Sequence, residues 1–184
     1  MIIGIAGTFA AGKGTVVEYL KLKGFTHHSS SGRLKEILTE RGLPHTRENM
    51  SALGEELLSK YKGGVLEFNL ERAKQDGADD IIVEAIHRMS EAEYVRSVGG
   101  KILGVDADMR VRYERTLKRG DGEKDAVTFE QFKEHSAREE EGKRNLTSNI
   151  RAVIESADAV VLNNGTLEEF HINIENALTN LRAK

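Results

Sequence analysis

Nine residues near the start of the chain, Gly7-Thr8-Phe9-Ala10-Ala11-Gly12-Lys13-Gly14-Thr15, have the types and spacing needed to hold nucleotide phosphates. In such a loop the backbone N–H groups of Gly7, Ala10, Ala11, Gly12 and Gly14 can turn inward with little side chain in the way. A helix that begins there adds positive partial charge. Lys13 can then reach the β- and γ-phosphates, and the Thr15 hydroxyl can ligate Mg²⁺. The usual form of this pattern places Ser or Thr directly after the lysine. Here Gly14 stands in that position and Thr15 follows it.

Other residues suited to the same chemistry lie further along. Glu84 ends the apolar run Ile81-Ile82-Val83, and Arg88 follows four residues on. Both can face the crevice beyond the carboxyl ends of parallel strands, where open α/β sheets bind ligands. His87, between them, has no defined role and reads as structural. Arg115 and Arg119 lie one helical turn apart, while Arg138 and Arg144 stand at the far side of a charged stretch. Arginines in such places neutralise the charge that spreads over a transferred phosphoryl group.

An alternation of strands and helices must position these groups. Ile2 to Ala6 is nearly continuous apolar sequence, the signature of a buried parallel strand. Thr15 to Lys23 has helical spacing, with Val16, Val17 and Leu20 inward and Gly24 as its stop. Phe25 to Ser29 reads as a weak second strand. Helices are expected over Arg33–Arg41, Arg47–Tyr61 and Val65–Asp76, punctuated by Pro44 and Gly63-Gly64. The next strand ends at Glu84, and Ser90 opens a helix with Glu93 as capping partner. A strand over Ile102–Val105 and a helix over Asp108–Arg119 come next. Residues 119–144 hold 14 charged side chains in 26, with Phe129 and Phe132 as anchors. That stretch is expected to be a solvated, mobile excursion that buries little of itself. A helix near Asn149–Ser156, a strand at Val160–Leu162 and a helix from Leu167 complete the chain. The pattern predicts an α/β fold with a parallel sheet covered on both faces.

Composition narrows the partners. The 184 residues correspond to about one domain at roughly 150 residues each. A chain of this length buries about 70% of its unfolded surface, enough for a core without staples. There is no cysteine, which excludes disulfides, cysteine-ligated zinc and thiol catalysis. Lys plus Arg total 27 against 30 Asp plus Glu, a net charge of −3, so bulk attraction to nucleic acid is not expected. The apolar run Met1–Ala6 is far short of the roughly 20 residues of a membrane span, and no basic leader precedes it. Neither a membrane nor a nucleic-acid partner is expected, and the expected compartment is the cytoplasm. Oligomeric state is not legible.

With these residues in hand, the chain resembles the P-loop nucleoside monophosphate kinases and their relative dephospho-coenzyme A kinase. Adenylate-kinase-like enzymes carry the same Gly-Lys-Gly-Thr variant. Ser29-Ser30-Ser31-Gly32-Arg33-Leu34-Lys35 is similar to a Ser-x-x-Asp-x-x-Arg junction that approaches the acceptor nucleotide, with Gly32 replacing Asp and Lys35 replacing Arg. Glu84-Ala85-Ile86-His87-Arg88 resembles Asp-Gly-Phe-Pro-Arg, which implies Glu84 near the metal or the attacking oxygen and Arg88 on the acceptor phosphate. Ser31 and Lys35 would join Arg88 in holding the acceptor. The resemblance places Arg119 at the base of a lid over about 119–144, with Arg115 and Arg119 near the nucleotide. It places Arg138 and Arg144 where they can close over the phosphates. Ala157 to Glu169 resembles the last strand and loop of dephospho-coenzyme A kinase and of small adenylate-kinase-related proteins of archaea, which implies Asn163, Asn164 and Gly165 beside the adenine. Arg41 to Asn49 resembles those archaeal proteins rather than adenylate kinase proper.

The resemblance thus implies a P-loop NTPase fold over 1–184, with a five-stranded parallel sheet, an acceptor-binding helical region about 33–76 and a helical lid. It implies a phosphotransferase using ATP and Mg²⁺ on small nucleotide substrates. Two other readings stand beside it. Dephospho-coenzyme A kinase would need a general base for a ribose hydroxyl, at a place where Gly32 replaces the expected Asp. A nucleotide-dependent switch or regulatory ATPase would fit if the departures at Gly32 and Lys35 mean lost acceptor chemistry. The sequence does not distinguish ATP from GTP as donor, nor one acceptor base or sugar from another.

Overall fold

The structure is a computed structural model, and it describes residues 1–120, 127–140 and 149–183. Five strands, β1 (Ile2–Gly7), β2 (Thr26–His27), β3 (Ile81–Glu84), β4 (Lys101–Asp106) and β5 (Ala159–Leu162), form one parallel sheet in the order β2-β3-β1-β4-β5. Around it lie α1 (Lys13–Leu22), α2 (Ser30–Glu40), α3 (Arg47–Lys60), α4 (Val65–Gln75), α5 (Met89–Ser97), α6 (Met109–Arg119), α7 (Phe129–Glu140), α8 (Ile150–Glu155) and α9 (Leu167–Ala183).

The continuous apolar runs of β1, β3 and β4 are covered on both faces. Ile3, Ile5, Leu103, Val105 and Val161 pack with Leu20 of α1 and with Phe170 and Ile174 of α9. Ala6, Val83 and Ile102 pack on the other side against α4, α5 and α8, through Leu70, Val95 and Val153. A third cluster, Ile37, Leu38, Leu53 and Leu57, joins α2 to α3. Because β1 pairs with β3 on one side and β4 on the other, the chain leaving β1 emerges where the connections diverge, the usual place for a ligand crevice.

Several boundaries differ from the expectations, each for a local reason. The second strand is two residues long because the Ser29 side chain accepts from the Gly32 N–H and starts α2 at Ser30 rather than Arg33. Helix α1 begins at Lys13, not Thr15, since Gly12 adopts a left-handed cap. Helix α5 begins at Met89, and the carboxylate that folds back on its start is Glu91, which accepts from the N–H groups of His87 and Arg88 just before the helix; Glu93 is not the partner. The charged excursion contains α7, which seats Phe132 at 2% exposure against Phe9 and Tyr113. Residues 121–126 and 141–148, including Arg144, lie outside the described residues. No helix among the described residues is long and apolar enough to cross a membrane.

Candidate functional site

The phosphate loop leaves β1 and is shaped by two independent constraints. Gly12 has φ 105, in the left-handed region that disfavours a side chain. A Cβ there would also lie 2.4 Å from Asn163 Nδ2. Ala10, at φ 60, is held in the same strained region without being glycine. Ala85, at φ 64, is its counterpart just past β3. Ala10 belongs to the phosphate loop and Ala85 follows β3, the strand beside β1, and such backbone persists only where the surrounding structure over-determines it.

The loop is pinned from outside. Asn163, past β5, donates from Nδ2 to Ala11 O at 2.9 Å. Arg115 donates to Asn163 O and Oδ1 at 2.8 and 2.9 Å, so α6, β5 and the loop meet at one side chain. Thr8 is fully buried and donates from Oγ1 to Asp106 Oδ1 at 2.7 Å. Lys13 donates from Nζ to Gly7 O and Thr8 O, both at 2.9 Å, which folds its ammonium back over the loop. The Thr15 hydroxyl has no hydrogen-bond partner among the described residues and lies on the wall of a cavity of about 410 Å³. Arg115, Arg119, Gly12, Lys13 and Gly14 line that cavity too. Arg119 additionally stacks over the Phe9 ring at 5.2 Å.

Across the loop, Glu84 ends β3. Its carboxylate lies 3.4 Å from His27 Nε2, and it is held below the usual carboxylate range by His27 first, then by Ser29 and the charge of Lys13, against partial burial. The His27 contact is long and poorly aligned, leaving Nε2 without a hydrogen bond among the described residues. Ser30 donates to Glu84 O at 3.3 Å and ties the start of α2 to the same strand end.

His87 is exposed at the protein surface but crowded by neighbouring atoms. That crowding, then the positive charges of Lys13 and Arg88, lowers its pKa to about 4. Between about pH 6.5 and 4 the unfolded chain therefore binds a proton at His87 that the folded chain does not, so stability falls as pH drops through that window. Denaturant unfolding at pH 7 and pH 5 is expected to show that loss, and His87→Gln to reduce it.

The remaining expected site residues divide. Arg88 pairs with Glu55 of α3 and lies 4.0 Å from Glu91. It borders a groove of about 680 Å³ between α3 and α5. Among the described residues the Ser31 hydroxyl bonds to Ser29, at 3.0 Å, and Lys35 is exposed on α2 with no ion-pair partner. Asn164 caps α6 by accepting from Asp108 N–H at 2.7 Å, leaving Asn163 as the asparagine on the loop. Gly165 has a structural reason of its own: a Cβ would lie 2.1 Å from Glu169 Oε2, the carboxylate that caps α9 through Thr166 N–H. Arg138 is exposed on α7, 3.8 Å from Glu134, and is not among the residues lining the loop cavity. Sequence reasoning missed Asp106, Arg112 and Arg151. Asp106 carried a signal, a carboxylate ending a strand as Glu84 does, whereas nothing in the sequence marked the two arginines.

A five-stranded parallel sheet in this order, with a lysine-bearing loop between its first strand and first helix, defines a P-loop kinase-like fold. The chain belongs to the AAA_18 family, an AAA domain, which it matches over residues 3–142. It is 26% identical over 191 residues to the UPF0200 protein TK1334 of Thermococcus kodakarensis, with all of both chains covered. Among solved structures it superposes on a dephospho-CoA kinase from Campylobacter jejuni with a TM-score of 0.55 and 15% identity, covering 98% of this chain and 96% of that one. A shikimate kinase from Bacteroides thetaiotaomicron gives a TM-score of 0.59 and 11% identity, covering 97% and 98%. At these identities the likeness is one of fold.

Proposed function

We propose that the protein is an ATP- and Mg²⁺-dependent phosphotransferase that moves the γ-phosphoryl group of ATP to the phosphate of a nucleoside monophosphate. The observation that carries this reading is the convergence of two charged walls on one loop. Arg115 and Arg119 line the Lys13 side, and Glu84 lies close enough to feel the Lys13 charge.

In this reading the loop N–H groups of Gly7, Ala10, Ala11, Gly12 and Gly14, with Lys13, bind the β- and γ-phosphates. Asn164 and Gly165 lie toward the adenine, while Arg115 and Arg119 neutralise the donor. Ser31, Lys35 and Arg88 hold the acceptor, and Arg138 closes from the segment 119–144. An acceptor phosphate oxygen bonds to the γ-phosphorus, the bond to the β-bridging oxygen breaks, and ADP leaves. The chemistry is mostly positioning and charge neutralisation. Thr15, whose hydroxyl has no hydrogen-bond partner among the described residues, and Glu84, an ionised carboxylate, would hold Mg²⁺, which would supply charge compensation for the donor phosphates.

A phosphate acceptor suits this site better than the hydroxyl of dephospho-coenzyme A. A hydroxyl needs a base whose pKa lies near the working pH, and Glu84 is held below the ordinary carboxylate range. A phosphate arrives already ionised. For the same reason Glu84→Gln is expected to lower kcat by about 10²-fold, with the KM for ATP changed by less than about threefold, as steady-state kinetics will show.

A coupled ADP-release assay over a panel of nucleoside monophosphates, with dephospho-coenzyme A included, tests the proposal. Turnover that depends on one monophosphate supports it. ATP hydrolysis indifferent to every acceptor would turn the reading toward a nucleotide-dependent switch.

A further inference from the structure

Asp106, at the end of β4, plays no part in the reading above, yet its carboxylate is divided between two elements. Oδ1 accepts from Thr8 Oγ1 at 2.7 Å and from Ala107 N–H at 2.9 Å. Oδ2 lies 2.7 Å from Arg151 of α8. The same guanidinium turns its other nitrogen to Glu140 at the end of α7. Glu140 in turn lies 3.0 Å from Arg112, which is 2% exposed and donates from Nε to Ala107 O. On the other side of the chain of contacts, Thr8 O accepts from Lys13 Nζ at 2.9 Å and from Ala11 N–H at 3.3 Å.

Two cations and two anions thus alternate from α7 to the phosphate loop. Replacing such a partly buried network by apolar groups is often neutral for stability, so stability alone is a weak reason for it. Its geometry points elsewhere. Arg151 fixes Asp106, Asp106 fixes the Thr8 hydroxyl, and the Thr8 carbonyl helps set where the Lys13 ammonium lies. We infer that Arg151 is a positioning residue of the phosphate loop, acting through Asp106 and Thr8, and that Glu140 ties this setting to α7. Arg151 has no role here in touching substrate. The consequence for catalysis rests on the proposed phosphate-binding role of the loop, but the positioning itself is readable without nucleotide.

Native-state hydrogen exchange of the nucleotide-free protein at the Ala11 amide provides the test. Arg151→Met and Thr8→Val are each expected to speed that exchange about tenfold. The double variant should exceed the larger single effect by less than about threefold, because both substitutions break one chain through Asp106. Arg151→Lys keeps a charge without the planar fork and should restore part of the protection. Exchange in the β1 amides unchanged across the series separates loop positioning from general unfolding. Single effects that multiply in the double variant, or no effect of Arg151→Met at Ala11, would overturn the inference. Titration with a non-hydrolysable ATP analogue then reads the consequence, with a dissociation constant raised about tenfold in Arg151→Met. If the unaltered protein binds no analogue while the exchange pattern holds, the phosphate-binding reading fails and the positioning role stands.

Discussion

Lys13→Met is expected to lower kcat/KM for phosphoryl transfer by about 10²–10³-fold, with most of the loss in kcat. Methionine keeps the length and the apolar stem of lysine, so the substitution removes little besides the ammonium. In the nucleotide-free protein that ammonium bonds to Gly7 O and Thr8 O. Both carbonyls lose this side-chain donor, but Thr8 O keeps the backbone Ala11 N–H, so the cost is about 1 kcal/mol. On the proposed reading the functional loss is larger, because a preorganised cation would act where charge develops on the transferred group. Steady-state kinetics beside a thermal melt separates the two effects. A melting temperature within a few degrees of the unaltered protein and a collapse in kcat is the expected pair of results.

Gly12→Ala is expected to destabilise the protein and disturb the phosphate loop with a single methyl group. The backbone at φ 105 disfavours any L side chain by about 1–2 kcal/mol. The added Cβ would sit 2.4 Å from Asn163 Nδ2, so Asn163 must move and give up its bond to Ala11 O. The Oδ1 acceptor that Asn163 offers to Arg115 moves with it. Strain and the displaced network together come to about 3–4 kcal/mol. The loop and the arginine wall are disturbed at once, so weakened binding of an ATP analogue should accompany the lower stability. Denaturant unfolding and analogue titration on the same preparation check both. Gly14→Ala is the control, since a Cβ there meets nothing within 4 Å and its φ is not in the positive range.

The two glycines also show what could be read from the sequence. A glycine-rich loop between an apolar run and an amphipathic one is a local pattern, and the strand, loop and helix it implies are all present. The parallel sheet followed from continuous apolar runs, which only two covered faces explain. Boundaries set by a single side chain were less legible: Ser29 as the cap of α2, and Glu91 rather than Glu93 as the carboxylate at the start of α5. Both are decided by which rotamer reaches an N–H group, and spacing alone does not say.

The site was legible where it is contiguous in sequence and obscure where it is assembled from distant segments. Gly12, Lys13 and Gly14 of the loop form one such contiguous group, Arg115 and Arg119 one turn apart on α6 form another, and both line one cavity. Asn163, by contrast, was expected only to border a base, whereas its side chain holds the loop itself. Nothing in the sequence marked Arg151 and Arg112, because only the fold brings Glu140 and Asp106 to them. Phe132 was expected to anchor a stretch with little else buried, yet it packs against Phe9 at the tip of the loop. Pairings of this kind depend on tertiary register rather than on residue type.

The most direct test is the chemical identity of the phosphorylated product. Phosphorus NMR of the reaction with ATP and the monophosphate that drives turnover should show a nucleoside diphosphate with two coupled phosphorus signals, formed in step with ADP. That result requires the γ-phosphoryl group to have joined an existing phosphate. A single new monoester signal, or inorganic phosphate alone from a folded protein that binds ATP, would contradict the account.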